Sequence, residues 1–219
     1  MILYKYMKLE HLKDALDYGV YASKIDCFND PYEWDDIRYG DDYRICCLTK
    51  AHSQMLMWAY YTNHRGCRVS FEVEDADFKP VYYVKQKIDR RKMNKKEARD
   101  SLYTKGNNWK LEKEYRAIYD EKGKNPKRWI KSKDKDKVFY RAPVVEVRLG
   151  TESYRSDLYE RVLEYLAQYN KKHNNQIKVS SCLLSHDKYA VEEDRQFDFL
   201  RELEKSKTQA NTFIFKLEE

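Results

Sequence analysis

The stretch W-K-L-E-K-E-Y-R-A-I-Y, Trp109–Tyr119, constrains this chain more than any other. Glu112, Glu114 and Arg116 stand two residues apart, while Tyr115, Ala117, Ile118 and Tyr119 give the segment the apolar and aromatic character of a half-buried strand. Residues two apart on a strand share a face, so both carboxylates and the guanidinium are expected to project together. Two glutamates so close repel unless a cation stands beside them, and Arg116 is the nearest candidate. The pattern reads as the edge of an active site; it reads as well as a solvated strand edge carrying an ordinary ion pair.

Short strands with helices between them run through the rest of the chain, which predicts an α+β fold with a mixed, mostly antiparallel strand core. Strands are expected at Ile2–Tyr6, Val20–Ser23, Tyr43–Thr49, Cys67–Val73, Pro80–Lys87, Val138–Tyr140, Val144–Leu149, Ile177–Leu184 and Thr212–Leu217. Helices are expected over Lys8–Tyr18, closed by Gly19, and from Ser53 as cap through Tyr61. Two more follow Asn94, with Glu97 completing a capping box and the helix running to about Lys105, and Asp157–Glu160, with Leu158, Val162, Tyr165, Leu166 and Tyr169 on one face. Phe197–Lys205 reads as a further helical turn or two. A length of 219 residues suits a single domain, here residues 1–219 with a basic loop insertion near 121–137.

No run of eighteen apolar residues occurs, so no membrane partner is expected. The start M-I-L-Y-K-Y-M-K lacks the pattern of a secretory signal, and the five cysteines have no C-x-x-C spacing. Together these predict a cytoplasmic protein with reduced, buried thiols, Cys46 and Cys47 among them inert. Charge is segregated: residues 26–42 hold seven acids and one base, residues 85–96 seven bases and one acid, and residues 121–137 eight bases and three acids. Such basic runs could serve a nucleic-acid or protein partner, or simply keep a loop in solution.

Several motifs taken as a set resemble the bacterial domain of unknown function 2971 family. They are L-Y-K-Y at Leu3–Tyr6, V-Y-A-S at Val20–Ser23, F-N-D-P-Y-E at Phe28–Glu33, M-W-A-Y-Y at Met57–Tyr61 before H-R-G, and E-K-E-Y-R at Glu112–Arg116. The resemblance covers roughly residues 3–150. Tyr60 stands where that family usually has a histidine, and Met7 where it usually has an arginine.

The opening strand, helix and short strand ending in Ser23 are also similar to the start of ADP-ribosyltransferases, including DNA-modifying toxins. That likeness implies NAD as substrate, an ADP-ribosyltransferase-like fold, and a defence or toxin role in bacterial or phage conflict. It carries Glu114 over as the catalytic carboxylate, with Glu112 as its acceptor-facing partner. Lys5 or Tyr6 would occupy the first-strand position and Ser23 or Tyr21 the second-strand position. Asn29 and Asp30 would lie in a segment folded over the cleft. Tyr6, Tyr21, Trp58 and Tyr61 would sandwich nicotinamide, and Lys5 or Arg116 would hold the pyrophosphate. For Trp58 and Tyr61 core packing is the competing reading. Two other functions are open: a non-catalytic binding module using the basic runs, and a metal-dependent nuclease built on Asp30, Glu33, Asp35 and Asp36.

Overall fold

Strand β1 (Ile2–Met7) leads through a 3-10 turn, Leu9–His11, into helix α1 (Leu12–Tyr18). There follow β2 (Val20–Lys24), the one-turn helix α2 (Pro31–Trp34), β3 (Tyr43–Thr49), α3 (Met55–Thr62), β4 (Cys67–Glu72), β5 (Lys79–Pro80) and β6 (Tyr82–Val84). The second half holds α4 (Lys95–Ser101), β7 (Thr104–Gly106), β8 (Glu114–Asp120), β9 (Trp129–Lys131), β10 (Val138–Tyr140), β11 (Val144–Leu149), α5 (Tyr159–His173), β12 (Lys178–Leu184) and β13 (Val191–Glu193). The computed structural model describes residues 1–34, 39–132, 136–173 and 177–205; the expected strand Thr212–Leu217 and the acids Asp35 and Asp36 lie outside them. Helices and strands interleave and most strand pairs are antiparallel, so the fold is α+β as expected.

The chain forms two compact units, each assembled from separated stretches. The first comprises Met1–Lys5, Asp14–His52 and Phe71–Pro143. Its centre is β3, paired along its whole length with β8, from Tyr43↔Asp120 to Thr49↔Glu114. The other side of β3 takes β2 at Ser23↔Ile45 and β1 at Tyr4↔Thr49. Directly opposed residues share a face, so Tyr43, Ile45, Cys47 and Thr49 line up with Asp120, Ile118, Arg116 and Glu114. One end of that face is apolar: Ile45, Tyr43 and Ile118 bury against Ile25, Leu102 and Tyr103. The other end is charged, and it forms the floor of the site described below.

The second unit comprises Tyr6–Lys13, Ser53–Ser70 and Val144–Glu219. Within it β11 pairs in parallel with β12, and β12 antiparallel with β13. Helix α5 buries Val162, Leu163 and Leu166; of the rest of the expected stripe, Tyr165 and Tyr169 are half-buried and Leu158 lies just ahead of the helix.

Several expectations are corrected. Strand β4 is buried from Cys67 through Phe71 on both faces, although its sequence alternates. Ser53 caps no helix; its hydroxyl donates to the Val191 carbonyl, and α3 starts after Gln54. The strand expected at Pro80–Lys87 divides into β5 and β6, which pair with different partners, β8 and β7. Helix α4 has its capping box, Asn94 with Glu97, but ends at Ser101 because Thr104–Gly106 is claimed by β6. Cys27 is exposed rather than buried; Cys46 and Cys47 are the inert thiols expected, their pKa pushed well up by burial. Around the basic loop, Lys122 pairs with Asp42 at 2.6 Å, Arg128 with Glu74 at 2.9 Å and Lys137 with Asp14 at 2.6 Å.

Gly19 is the hinge between α1 and β2: its N–H closes the helix on Ala15, its φ is +104°, and a Cβ there would fall on the Tyr140 carbonyl oxygen. Gly19→Ala is therefore expected to cost about 1–3 kcal/mol in urea denaturation, since strained φ and steric contact act together.

Candidate active site

The sequence motif around Glu112–Arg116 is not one continuous strand. Asn107–Glu112 winds as a 3-10 helix, Lys113 adopts left-handed φ of 46°, and only then does β8 begin. The kink is held from both sides. Thr49 Oγ1 donates to the Glu112 carbonyl, the Lys50 N–H donates to the Lys113 carbonyl at 3.1 Å, and the Glu114 N–H donates to the Tyr83 hydroxyl at 2.8 Å. Glu112 and Glu114 thus converge by a turn, where strand alternation had been expected to align them. They converge on a cation that sequence reading missed, Lys105 of β7. Its Nζ lies 2.7 Å from Glu112 and 3.3 Å from Glu114, beneath the Trp109 ring at 4.7 Å.

Arg116 completes the cluster. It is 1 % exposed and donates to Glu114 from Nε at 2.8 Å and from Nη2 at 2.9 Å, to the Leu102 carbonyl from Nη1 at 2.6 Å, and to Glu33 Oε1 of α2. The Phe28 ring covers its guanidinium. The Phe28–Glu33 segment is therefore folded against the partner of Glu114, and Asp30 Oδ1 accepts the Tyr32 N–H to start the turn that carries Glu33. The alternative of a solvated edge is ruled out: Glu33, Glu112, Glu114, Lys105 and Arg116 are all buried.

Three carboxyls share two cations, and the environment treats them differently. Burial would raise Glu114, but Arg116 and Lys105 outweigh it and hold the carboxyl at about 2. Glu33 is pushed up, first by burial and then by Glu114, and its attraction to Arg116 and Lys105 does not make up the difference. Its Oε2 has no hydrogen-bond partner, only the Lys105 ammonium at 3.4 Å. That atom belongs to a residue lining a cleft of about 590 Å³, bounded also by Asp30, Tyr32, Lys85, Lys87, Lys105 and Asn107. The volume is that of an ordinary small-molecule site. Glu114 and Glu112 do not line the cleft.

The other residues singled out in the sequence are spread wider. Lys5 donates to the Cys47 carbonyl at 2.9 Å, and Tyr21 is exposed, its ring tilted against Phe139 with centroids 5.6 Å apart. Ser23 faces Ile45 and, across β3, Ile118, which puts it two strands over and four residues along from Glu114, roughly 16 Å away. Asn29 is exposed. Tyr6, Trp58 and Tyr61 belong to the second unit, where Tyr6 and Trp58 meet edge to face at 4.9 Å as core. Of the acids a nuclease would use, Asp35 and Asp36 lie outside the described residues and Glu33 faces Lys105 and Arg116; among the described residues no group of three or more His, Cys, Asp or Glu takes a metal-holding arrangement.

Comparison with protein-family models, with curated proteins and with solved structures finds no match to this chain.

Because Glu114 is buried against Arg116, Glu114→Gln is expected to lose about 3–5 kcal/mol by leaving a guanidinium short of its counter-charge. Its share of stability is present above the ordinary glutamate value of 4.5 and lost as pH falls through about 2. Glu33 works in the opposite sense: its share is present below the ordinary value and lost as pH rises through its raised one. Urea denaturation of wild type and Glu114→Gln from pH 7 downward checks this: the gap between them should narrow as the pH falls.

Proposed function

We propose that this chain is an NAD-consuming, ADP-ribosyltransferase-like enzyme, with Glu33 in place of Glu114 as the carboxylate that meets the ribose. The observation that carries the reading is Glu33, a buried carboxyl whose Oε2 has no hydrogen-bond partner and only the Lys105 ammonium beside it at 3.4 Å, in the lining of a cleft that also holds the exposed Lys85 and Lys87. Exposed lysines suit a pyrophosphate, and a carboxylate oxygen short of a hydrogen bond suits a ribose hydroxyl. The C1′–nitrogen bond breaks with its electron pair going to nicotinamide, leaving positive charge on the ribose that an adjacent carboxylate stabilises. Water or another acceptor then adds at C1′ and gives up its proton to the Glu33 carboxylate. Glu114 and Glu112 act from behind, fixing Arg116 and Lys105, which in turn fix Glu33.

Glu33 must be ionised to do this, so activity falls as pH drops through its raised pKa, at a pH above the ordinary glutamate value of 4.5. Incubation with nicotinamide-labelled NAD and cell lysate is expected to release nicotinamide. Glu33→Gln should lower the rate about 10²–10³-fold while the protein stays folded. No release from the wild type, or full activity in Glu33→Gln, overturns the reading.

A basic binding module is less well supported. Lys122, Arg128 and Lys137 are spent on Asp42, Glu74 and Asp14, and Arg90 is withdrawn from the surface.

A further inference from the structure

Arg90 stands in the run K-Q-K-I-D-R-R-K, where sequence reading sees solvated or ligand-facing bases. It is instead 6 % exposed and lines the inner wall of the cleft. A guanidinium has five N–H donors, and all of them are used here. Nη1 donates to the carbonyls of Tyr32 at 2.6 Å and Glu33 at 3.5 Å, Nη2 to those of Ser101 at 3.3 Å and Thr104 at 3.4 Å, and Nε to the Ser101 hydroxyl at 3.2 Å. None of these acceptors is a carboxylate; Asp30 and Glu33 attract it only from a distance.

A buried arginine without a direct counter-ion is costly, so its placement calls for an account in geometry rather than in charge pairing. The two chain segments it joins are informative. Tyr32 and Glu33 belong to α2, whose four residues cannot form a self-standing helix. Ser101 ends α4 and Thr104 opens β7, one residue before Lys105. Arg90 therefore ties the backbone at Glu33 to the backbone at Lys105, the two groups that face each other in the lining of the cleft.

We infer that Arg90 is a positioning residue that sets Glu33 against Lys105 by its five-bond clamp on the two segments carrying them. The inference rests on the reading of Glu33 as the carboxylate that meets the ribose. The clamp is a matter of fork geometry: lysine supplies the same charge but cannot span four carbonyls and a hydroxyl. Charged groups around Glu33 are Arg116 of β8, Lys105 of β7, Glu114 of β8, Asp30 ahead of α2, and Arg90 itself.

The test compares wild type, Arg90→Met and Arg90→Lys by two measurements. The first is nicotinamide release, with kcat and KM separated. The second is the carbon-13 NMR titration of the Glu33 carboxyl, identified by its loss in Glu33→Gln. Release from α2's anchor should bring the Glu33 titration down toward the ordinary glutamate range and lower kcat about 10²-fold with KM little changed, in both variants. Should Arg90→Met fail to fold, Ser101→Ala, which removes the acceptor of Nε, is expected to move both readouts the same way by a smaller amount. An unchanged Glu33 titration and kcat in folded variants, or full restoration by lysine, overturns the inference. If the wild type releases no nicotinamide, the functional reading fails, and the NMR titration alone decides whether Arg90 positions Glu33.

Discussion

Everything at the candidate site hangs on the burial of one guanidinium. Arg116 could be accommodated beneath Phe28 only with each face of its fork answered: two bonds to Glu114 on its own strand, one to Glu33 of α2, one to the Leu102 carbonyl at the end of α4. Removing two charges from water costs several kcal/mol per ion, and a well-packed apolar set could fill the same volume at no loss of stability. What the ion pair supplies that an apolar set would not is direction. It fixes which way three separate segments approach the end of β8.

The same burial sorts the carboxyls. Glu114 is surrounded by cations and stays ionised, whereas Glu33 is the third acid sharing two bases and is the one left with an unsatisfied oxygen. Pairs of carboxyls driven apart in this way are the usual preparation for acid–base or charge-stabilising work, because the two then lose their protons in different pH ranges. The cleft is lined by both signs of charge, Asp30 and Glu33 together with Lys85, Lys87 and Lys105.

Much of the fold could be read from the residues, and part of the site could not. Strands such as Tyr43–Thr49 and Val144–Leu149, the Gly19 stop and the Asn94–Glu97 cap are local signals, decided by side chains within a few positions. The pairing of Glu114 with Arg116 was legible for the same reason, being two residues apart on a strand. Lys105 was not, because the helical pattern of α4 runs over it; the only hint of a break was the Gly106-Asn107-Asn108 that follows. Arg90 was hidden by its neighbours, since nothing in a run of bases marks the one that turns inward. Glu33 lay in view between two aromatics, but its union with Arg116 depends on chain closure that no local pattern encodes.

That closure spans 83 residues. Bringing such distant points together costs loop entropy that is recovered only when the contact forms, so chains dominated by separations of this kind fold slowly and complete such contacts late. During synthesis, Glu33 emerges from the ribosome well before either cation it will meet, and α2 has nothing to anchor it until β7 and β8 have been made. A nascent or truncated chain that stops short of residue 105 would carry Glu33 without either base, an acid with its intended surroundings still unmade.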